Sequence, residues 1–138
     1  MKVVVSACLL GENCKYNGGN NRNPAVLDFI RGKEVIPVCP EVLAGLGTPR
    51  VPIENLGDKV VTQEGKDVTE ALRGAVEQIL TRLSGEDVEC VILKSRSPTC
   101  GVKQVYDGSF SGTLVDGMGV LARALRDAGY RVIDAEDI

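Results

Sequence analysis

Four short apolar runs punctuate this chain: KVVVS at 2–6, EVIPVC at 34–39, VECVILK at 88–94 and YRVIDA at 130–135. Each is dense in β-branched residues and reads as a buried strand. Helical patterns lie between them. The clearest spans 67–83, where Val68, Ala71, Leu72, Ala75, Ile79, Leu80 and Leu83 form one apolar stripe, with Asp67 as a candidate N-cap and Glu70 three residues on. A second helix is predicted over 116–128, burying Val120, Leu121, Ala124, Leu125 and Ala128, with Gly129 as the residue that ends it. A shorter one is predicted from Pro24 to about Arg31. Strands alternating with helices define an α/β chain, and the expectation is a Rossmann-like, three-layer fold with a mostly parallel central sheet. Residues 1–138 read as one domain, without repeats or linkers.

The segments between these elements are less regular. NGGNNRN at 17–23 is a loop. Pro37 removes a backbone donor from the second strand and weakens that assignment. The stretch from Cys39 to Gly57 is rich in Pro and Gly and reads as a structured loop with one helical turn, and KVVT at 59–62 as a short strand or hairpin arm. YDGSFSG at 106–112 reads as turns.

Chemistry enters with the cysteines. The chain has five and no histidine. Cys8, Cys39 and Cys100 each follow one of the apolar runs, so three thiols from distant parts of the chain fall at predicted strand ends. In an open parallel sheet the carboxyl ends of the strands share one edge, and ligands bind along it. A metal or redox site follows, with thiolate-only or carboxylate-assisted ligation in the absence of histidine. Cys90 lies inside VECVIL and reads as core packing. Cys14 sits in the loop after Cys8, where assisting the site and packing are both open.

The spacing narrows the metal. Structural zinc sites draw on close C-x₂₋₄-C pairs, and none is present. A C-x-x-C redox pair and the local cysteine runs of ferredoxins are absent too. An iron–sulfur cluster remains, and three remote thiolates would leave one iron open to substrate, as in a Lewis-acid site. Glu41, two residues after Cys39, is placed to act as a general base or to stabilise a helix start. Ser97, three residues before Cys100, is placed to bond substrate or water, or to close the turn before Pro98. Lys94 and Arg96 could favour the thiolate at Cys100 but read chiefly as solvated surface, and Gly101 as a turn glycine or a point of close ligand approach.

Composition bounds the partners. A net charge of −3 with scattered Lys and Arg argues against a polymeric nucleic acid. No stretch approaches the roughly 18 apolar residues of a membrane span, and MKVVVSACLLG reads as a first strand, not a leader. Neither GxxxxGK[ST] nor a GxGxxG after the first strand is present to bind a nucleotide phosphate. A cytoplasmic protein acting on a small molecule is the expectation.

Five segments, SACLLGENCKYNG, VCPEVLAGLGTPRVP, DVTEAL, ILKSRSPTCG and VYDGSFSG, resemble in order the signature segments of the thiouracil desulfurase (TudS-like) family, also known as domain of unknown function 523. The resemblance covers nearly the whole chain and looks like the short form, without the additional C-terminal domain of longer relatives. It implies a 4Fe–4S cluster held by Cys8, Cys39 and Cys100, with Glu41 and Ser97 assisting catalysis. It implies hydrolytic, non-redox removal of sulfur from 2-thiouracil or a similar thiolated nucleobase, whose sulfur would meet the open iron. The chain departs from the family at Asn17, where an aspartate is common, so the loop over the site bears on substrate identity. The rival readings are a non-catalytic metal or sulfur protein or redox sensor using the same thiols, and a small-molecule-binding module.

Overall fold

The computed structural model describes residues 1–138. In chain order the elements are β1 (Lys2–Ser6), a 3₁₀ turn (Ala7–Leu10), α1 (Pro24–Phe29), β2 (Glu34–Val38), α2 (Pro40–Leu43), β3 (Ile53–Leu56), β4 (Lys59–Thr62), α3 (Thr69–Leu83), β5 (Val88–Leu93), β6 (Gln104–Tyr106), β7 (Leu114–Asp116), α4 (Val120–Asp127), β8 (Val132–Asp134) and a terminal 3₁₀ turn (Ala135–Asp137).

The four apolar runs form one sheet in the order β2-β1-β5-β8, with every neighbouring pair parallel. Alternate side chains divide between its faces. Val4, Val91 and Leu93 pack with Val76, Ile79 and Leu83 of α3 and with Leu121 and Leu125 of α4. Val3, Val5, Cys90 and Ile92 pack with Leu9 and with Val26 of α1 on the other face. The expected three-layer α/β arrangement is what the chain adopts. Counted among the parallel strands alone, the order is 2-1-3-4. The chain therefore leaves β1 in one direction and resumes on its other side, which opens a crevice beyond the carboxyl ends of β1 and β5. No helix is long and apolar enough to cross a membrane.

Pro37 is accommodated because β2 is an edge strand, where it pairs with Val5. Helix α1 starts as its sequence suggests: the Asn23 side chain accepts from the N–H groups of Ala25 and Val26, and Pro24 takes the first turn.

Three features differ from the sequence expectation. The long helix starts at Thr69, not Asp67, because Asp67 is still bridged to Val61 of the neighbouring hairpin. Its carboxylate nevertheless accepts from the N–H of Thr69 at 2.9 Å. The last helix starts at Val120, four residues late, because Leu114–Asp116 is a strand and Gly117 and Gly119 donate to the carbonyls of Lys103 and Gly101. The chain forms two antiparallel hairpins, β3-β4 and β6-β7, of which the sequence predicts only the arm KVVT. They sit beyond the sheet's carboxyl edge and wall the crevice.

Candidate functional site

The crevice is a cavity of about 550 Å³. Cys8, Cys39 and Cys100 line it, as do Cys14, Glu41 and Ser97. Cys90 does not line it; it is fully buried within β5, in the core with Val3, Val5 and Ile92.

Each thiol arrives by a different local device. Cys8 lies in the 3₁₀ turn that follows β1; its carbonyl accepts from the N–H groups of Gly11 and Asn21, which folds the Asn-rich loop back over the strand end. Cys39 is the N-cap residue of α2, and its carbonyl accepts from Leu43. Cys100 closes a tight turn after β5. There the Ser97 Oγ accepts from the N–H of Thr99 at 3.2 Å and of Cys100 at 3.1 Å, and Gly101 donates to the Ser97 carbonyl at 2.8 Å. Ser97 is thus a turn serine that also faces the cavity.

The start of α4 clamps this turn from behind. The N–H groups of Val120, Leu121 and Ala122 donate to the carbonyls of Pro98 and Thr99. A Cβ on Gly119 would stand 2.4 Å from the Thr99 carbonyl carbon, so only glycine permits this approach. Gly101 is explained the same way. A Cβ there would meet the Ser97 and Gln104 carbonyl oxygens at 2.8 Å, so its constraint comes from protein backbone and needs no ligand.

Glu41 occupies the first turn of α2, with Pro40 before it. Its Oε1 pairs with Arg50, at 3.4 Å from Nε and 3.3 Å from a terminal nitrogen, and its Oε2 accepts from the Thr99 hydroxyl at 3.1 Å. Arg50 is held in turn by the Gly47 carbonyl at 3.0 Å and the Thr48 hydroxyl at 3.2 Å. Only 6% of the Arg50 side chain and 14% of the Glu41 side chain remain exposed, so this is a buried ion pair. Lys94 also lines the cavity, half-buried, with its ammonium donating to the Ser95 carbonyl at 3.0 Å. It is therefore less solvated than its sequence suggested, whereas Arg96 is exposed and pairs with Glu136 at 3.2 Å.

The thiols feel one another. Burial pushes the Cys100 thiol up to about 12, against hydrogen bonds from Ser6 and Thr99. Burial also raises Cys8, against a hydrogen bond from Asn21, with Cys39 adding to the rise. Cys14 is pushed up to about 12, first by burial and then by Cys39 and Cys8. No three Cys, Asp or Glu side chains converge tightly enough for a single metal ion. A set of soft sulfur donors spread around one cavity, with no histidine among them, suits a multi-iron cluster better than a mononuclear ion.

Sequence reasoning missed three contributors. Arg50 lies in TPRVP, where two flanking prolines hide any periodicity; the only available signal was a lone cation in an apolar, Pro-rich stretch. Thr99 sits in the hydroxyl-rich SRSPTC, where nothing sets it apart from the turn residues around it. Phe110 reaches the cavity from the β6-β7 turn because the Glu54 carboxylate accepts from the N–H groups of Gly108 and Phe110 at 3.0 and 3.1 Å.

A doubly wound parallel sheet with a thiol-lined cavity at its carboxyl edge defines a Rossmann-like protein with a sulfur-rich ligand site. The 2-thiouracil desulfurase family model matches residues 3–137, and the chain belongs to that family. The uncharacterized protein YbbK of Bacillus subtilis (strain 168) is 37% identical over 146 aligned positions, covering 99% of this chain and 97% of the relative. The solved structure of the 4Fe–4S-dependent thiouracil desulfidase TudS superimposes with a TM-score of 0.92 at 36% identity, covering 99% of this chain and 92% of that one.

Proposed function

We propose that this chain hydrolyses the carbon–sulfur double bond of 2-thiouracil, or of a similar small thiolated pyrimidine, with a 4Fe–4S cluster held by Cys8, Cys39 and Cys100. The observation that carries the proposal is the meeting of these three thiols with Glu41 and Ser97 around one cavity. The family, and the cluster dependence of the similar desulfidase, support it.

Bound there, the cluster supplies a thiophilic Lewis acid at the iron that no protein thiolate caps. The chain's own residues do the rest. Tyr16, Tyr106 and Phe110 offer aromatic faces in the cavity wall on which a planar ring can lie. Glu41 accepts a proton from the attacking water as the new carbon–oxygen bond forms and delivers it to the sulfur as the carbon–sulfur bond breaks; the new hydroxyl gives its remaining proton to solvent as the carbonyl forms, leaving uracil and hydrosulfide. Ser97 hydrogen-bonds the water or the ring. The cavity's size suits a small molecule and not a polymer. Five free thiols and a cluster of this kind fit the reducing cytoplasm, with residues 1–138 working as one domain.

Anaerobic reconstitution with iron and sulfide, followed by a uracil-release assay on 2-thiouracil, tests the reading. Uracil and hydrosulfide in equal amounts, without added reductant, are expected. A wild-type protein that takes up no iron, or takes it up and releases no uracil from any thiolated pyrimidine, would sink it. A cluster that forms normally while Glu41→Gln turns over as fast as wild type would favour the non-catalytic rival.

A further inference from the structure

Phe110 stands in the cavity wall in a backbone conformation that its residue type disfavours. Its φ is 57°, in the left-handed region, and Arg96 is the only other non-glycine residue to adopt it. A bulky residue keeps such a backbone only where its surroundings fix it. Here the fixing group is Glu54 of β3. Its Oε1 accepts from the N–H groups of Gly108 at 3.0 Å and Phe110 at 3.1 Å, which pins the β6-β7 turn on either side of Ser109. The turn is also pressed against the strand: a Cβ on Gly108 would stand 2.7 Å from the Asn55 carbonyl oxygen. Asn55, the next residue of β3, donates from its side-chain amide to the Pro98 carbonyl at 3.2 Å, within the turn that carries Cys100. One strand therefore holds the Phe110 turn with one side chain and the thiol turn with the next.

The ring so placed does not serve the protein's interior. Phe110 is half-buried, yet it packs against none of the three apolar clusters, unlike Phe29 and Tyr130. Of the other aromatics in the wall, Tyr16 is 42% exposed and has the Lys15 ammonium over its ring. We propose that Glu54 is a positioning residue that holds Phe110 as the stacking platform for substrate, so that the cavity selects a flat aromatic thiocarbonyl ring over a saturated one. The proposal deepens the desulfurase reading and rests on it. A flat ring can lie along the whole Phe110 face. A puckered ring keeps its thiocarbonyl and N–H groups but loses that contact.

The test uses cluster-loaded protein and two substrates, 2-thiouracil and dihydro-2-thiouracil, which keeps the thiocarbonyl but not the flat aromatic ring. Phe110→Leu should raise KM for 2-thiouracil about tenfold, the order that one base–aromatic stack contributes, with kcat and iron content near wild type. Its KM for dihydro-2-thiouracil should hardly change. Phe110→Tyr, which returns a ring, should recover most of the loss. Glu54→Leu leaves both N–H groups without their acceptor and should raise KM to the same extent. Glu54→Gln keeps an acceptor oxygen and should recover it. Because Glu54 acts through Phe110, the double variant Glu54→Leu, Phe110→Leu should bind no more weakly than the weaker single. An unchanged KM in Phe110→Leu, an equal rise for both substrates, or multiplying losses in the double variant overturns the proposal.

KM equals a dissociation constant only where chemistry is slow, so affinity is also read directly by titrating uracil, which has the same flat ring and is not turned over. Phe110→Leu should bind uracil about tenfold more weakly than wild type. Equal affinities, or a wild type that binds neither uracil nor 2-thiouracil, overturn the platform. Should the wild type bind these rings but lack turnover, the desulfurase reading fails separately, and the uracil titration still decides the platform. Should Phe110→Leu fail to hold iron, Glu54→Leu against Glu54→Gln gives the answer instead: weaker uracil binding in Glu54→Leu alone is expected, and equal affinities overturn the proposal.

Discussion

The two ends of the parallel sheet carry charge in opposite ways. At the amino ends, Lys2 pairs with Glu86 and, at 3.9 Å, with Glu34, while Lys33 pairs with Glu89 at 3.1 Å. These side chains are between about a third and four-fifths exposed. At the carboxyl ends the Arg96–Glu136 pair is likewise exposed, but a second ion pair, Arg50–Glu41, is almost wholly withdrawn from water beside four thiols. Water already solvates the first set, so pairing adds little to it. The second set has lost that solvation and depends on its partners. The same strands thus end in two environments. In one, substitution is cheap. In the other, each polar group is held in place by a neighbour that costs something to remove.

The sharpest way to break this comparison is to remove thiols from the carboxyl end. Cys8→Ser, Cys39→Ser and Cys100→Ser should each abolish cluster assembly, read as iron and labile sulfide per chain after anaerobic reconstitution, while leaving the far-UV spectrum unchanged. A variant that keeps its full iron content would remove that cysteine from the ligand set, and Cys14 would be the first candidate to replace it.

Next in size is Arg50→Ala. It leaves the Glu41 carboxylate buried without its counter-charge, which should cost about 3 kcal/mol in urea unfolding, as in other buried pairs broken on one side. The double variant Arg50→Ala, Glu41→Ala should recover part of that loss, since the stranded charge is then gone. Equal losses in the single and double variants would show that the penalty comes from packing and not from the unpaired carboxylate.

The legibility of the sequence follows the same division. The sheet could be read because its strands are buried on both faces and so appear as unbroken apolar runs, and because α3 carries a full stripe. Cys8, Cys39 and Cys100 could be placed at one edge because each ends such a run. The hairpins could not. Strands such as QVY and LVD are three residues long and half-exposed, so neither period develops. Arg50 and Thr99 escaped for a different reason. What makes each of them part of the site is a contact across 9 and 58 residues to Glu41, and no local pattern encodes a contact.

Cys90 offers a control between the two ends. It lies on β5 opposite Val3, in the same strand that leads to Cys100 and just as buried. Burial raises the pKa of both thiols, so neither burial nor its effect on the proton distinguishes a core cysteine from one at the cavity. Position along the strand does. Cys90→Ala should cost about 1 kcal/mol, the order expected for a small core truncation, with iron uptake unchanged. Loss of the cluster in a folded Cys90→Ala protein would contradict the separation of core from site.

The smallest effects belong to the amino ends, and here the sign of the pH dependence is the informative part. Lys33→Gln should shift stability by no more than about 0.5 kcal/mol, and less in high salt. For Lys2, the hydrogen bond to Glu86 holds the ammonium pKa above its ordinary value, with burial opposing and the Glu86 charge assisting. A pKa raised in the folded state contributes stability below the unfolded value, near 10.4, and loses it as pH rises through the folded value. The melting temperature of Lys2→Met should therefore lie slightly below wild type from neutral pH to about pH 10, and the gap should close above that. A gap that persists at higher pH would mean that the lysine stem, packed along the sheet edge, matters more than its charge. The amino end would then resemble the carboxyl end in being built and not merely decorated.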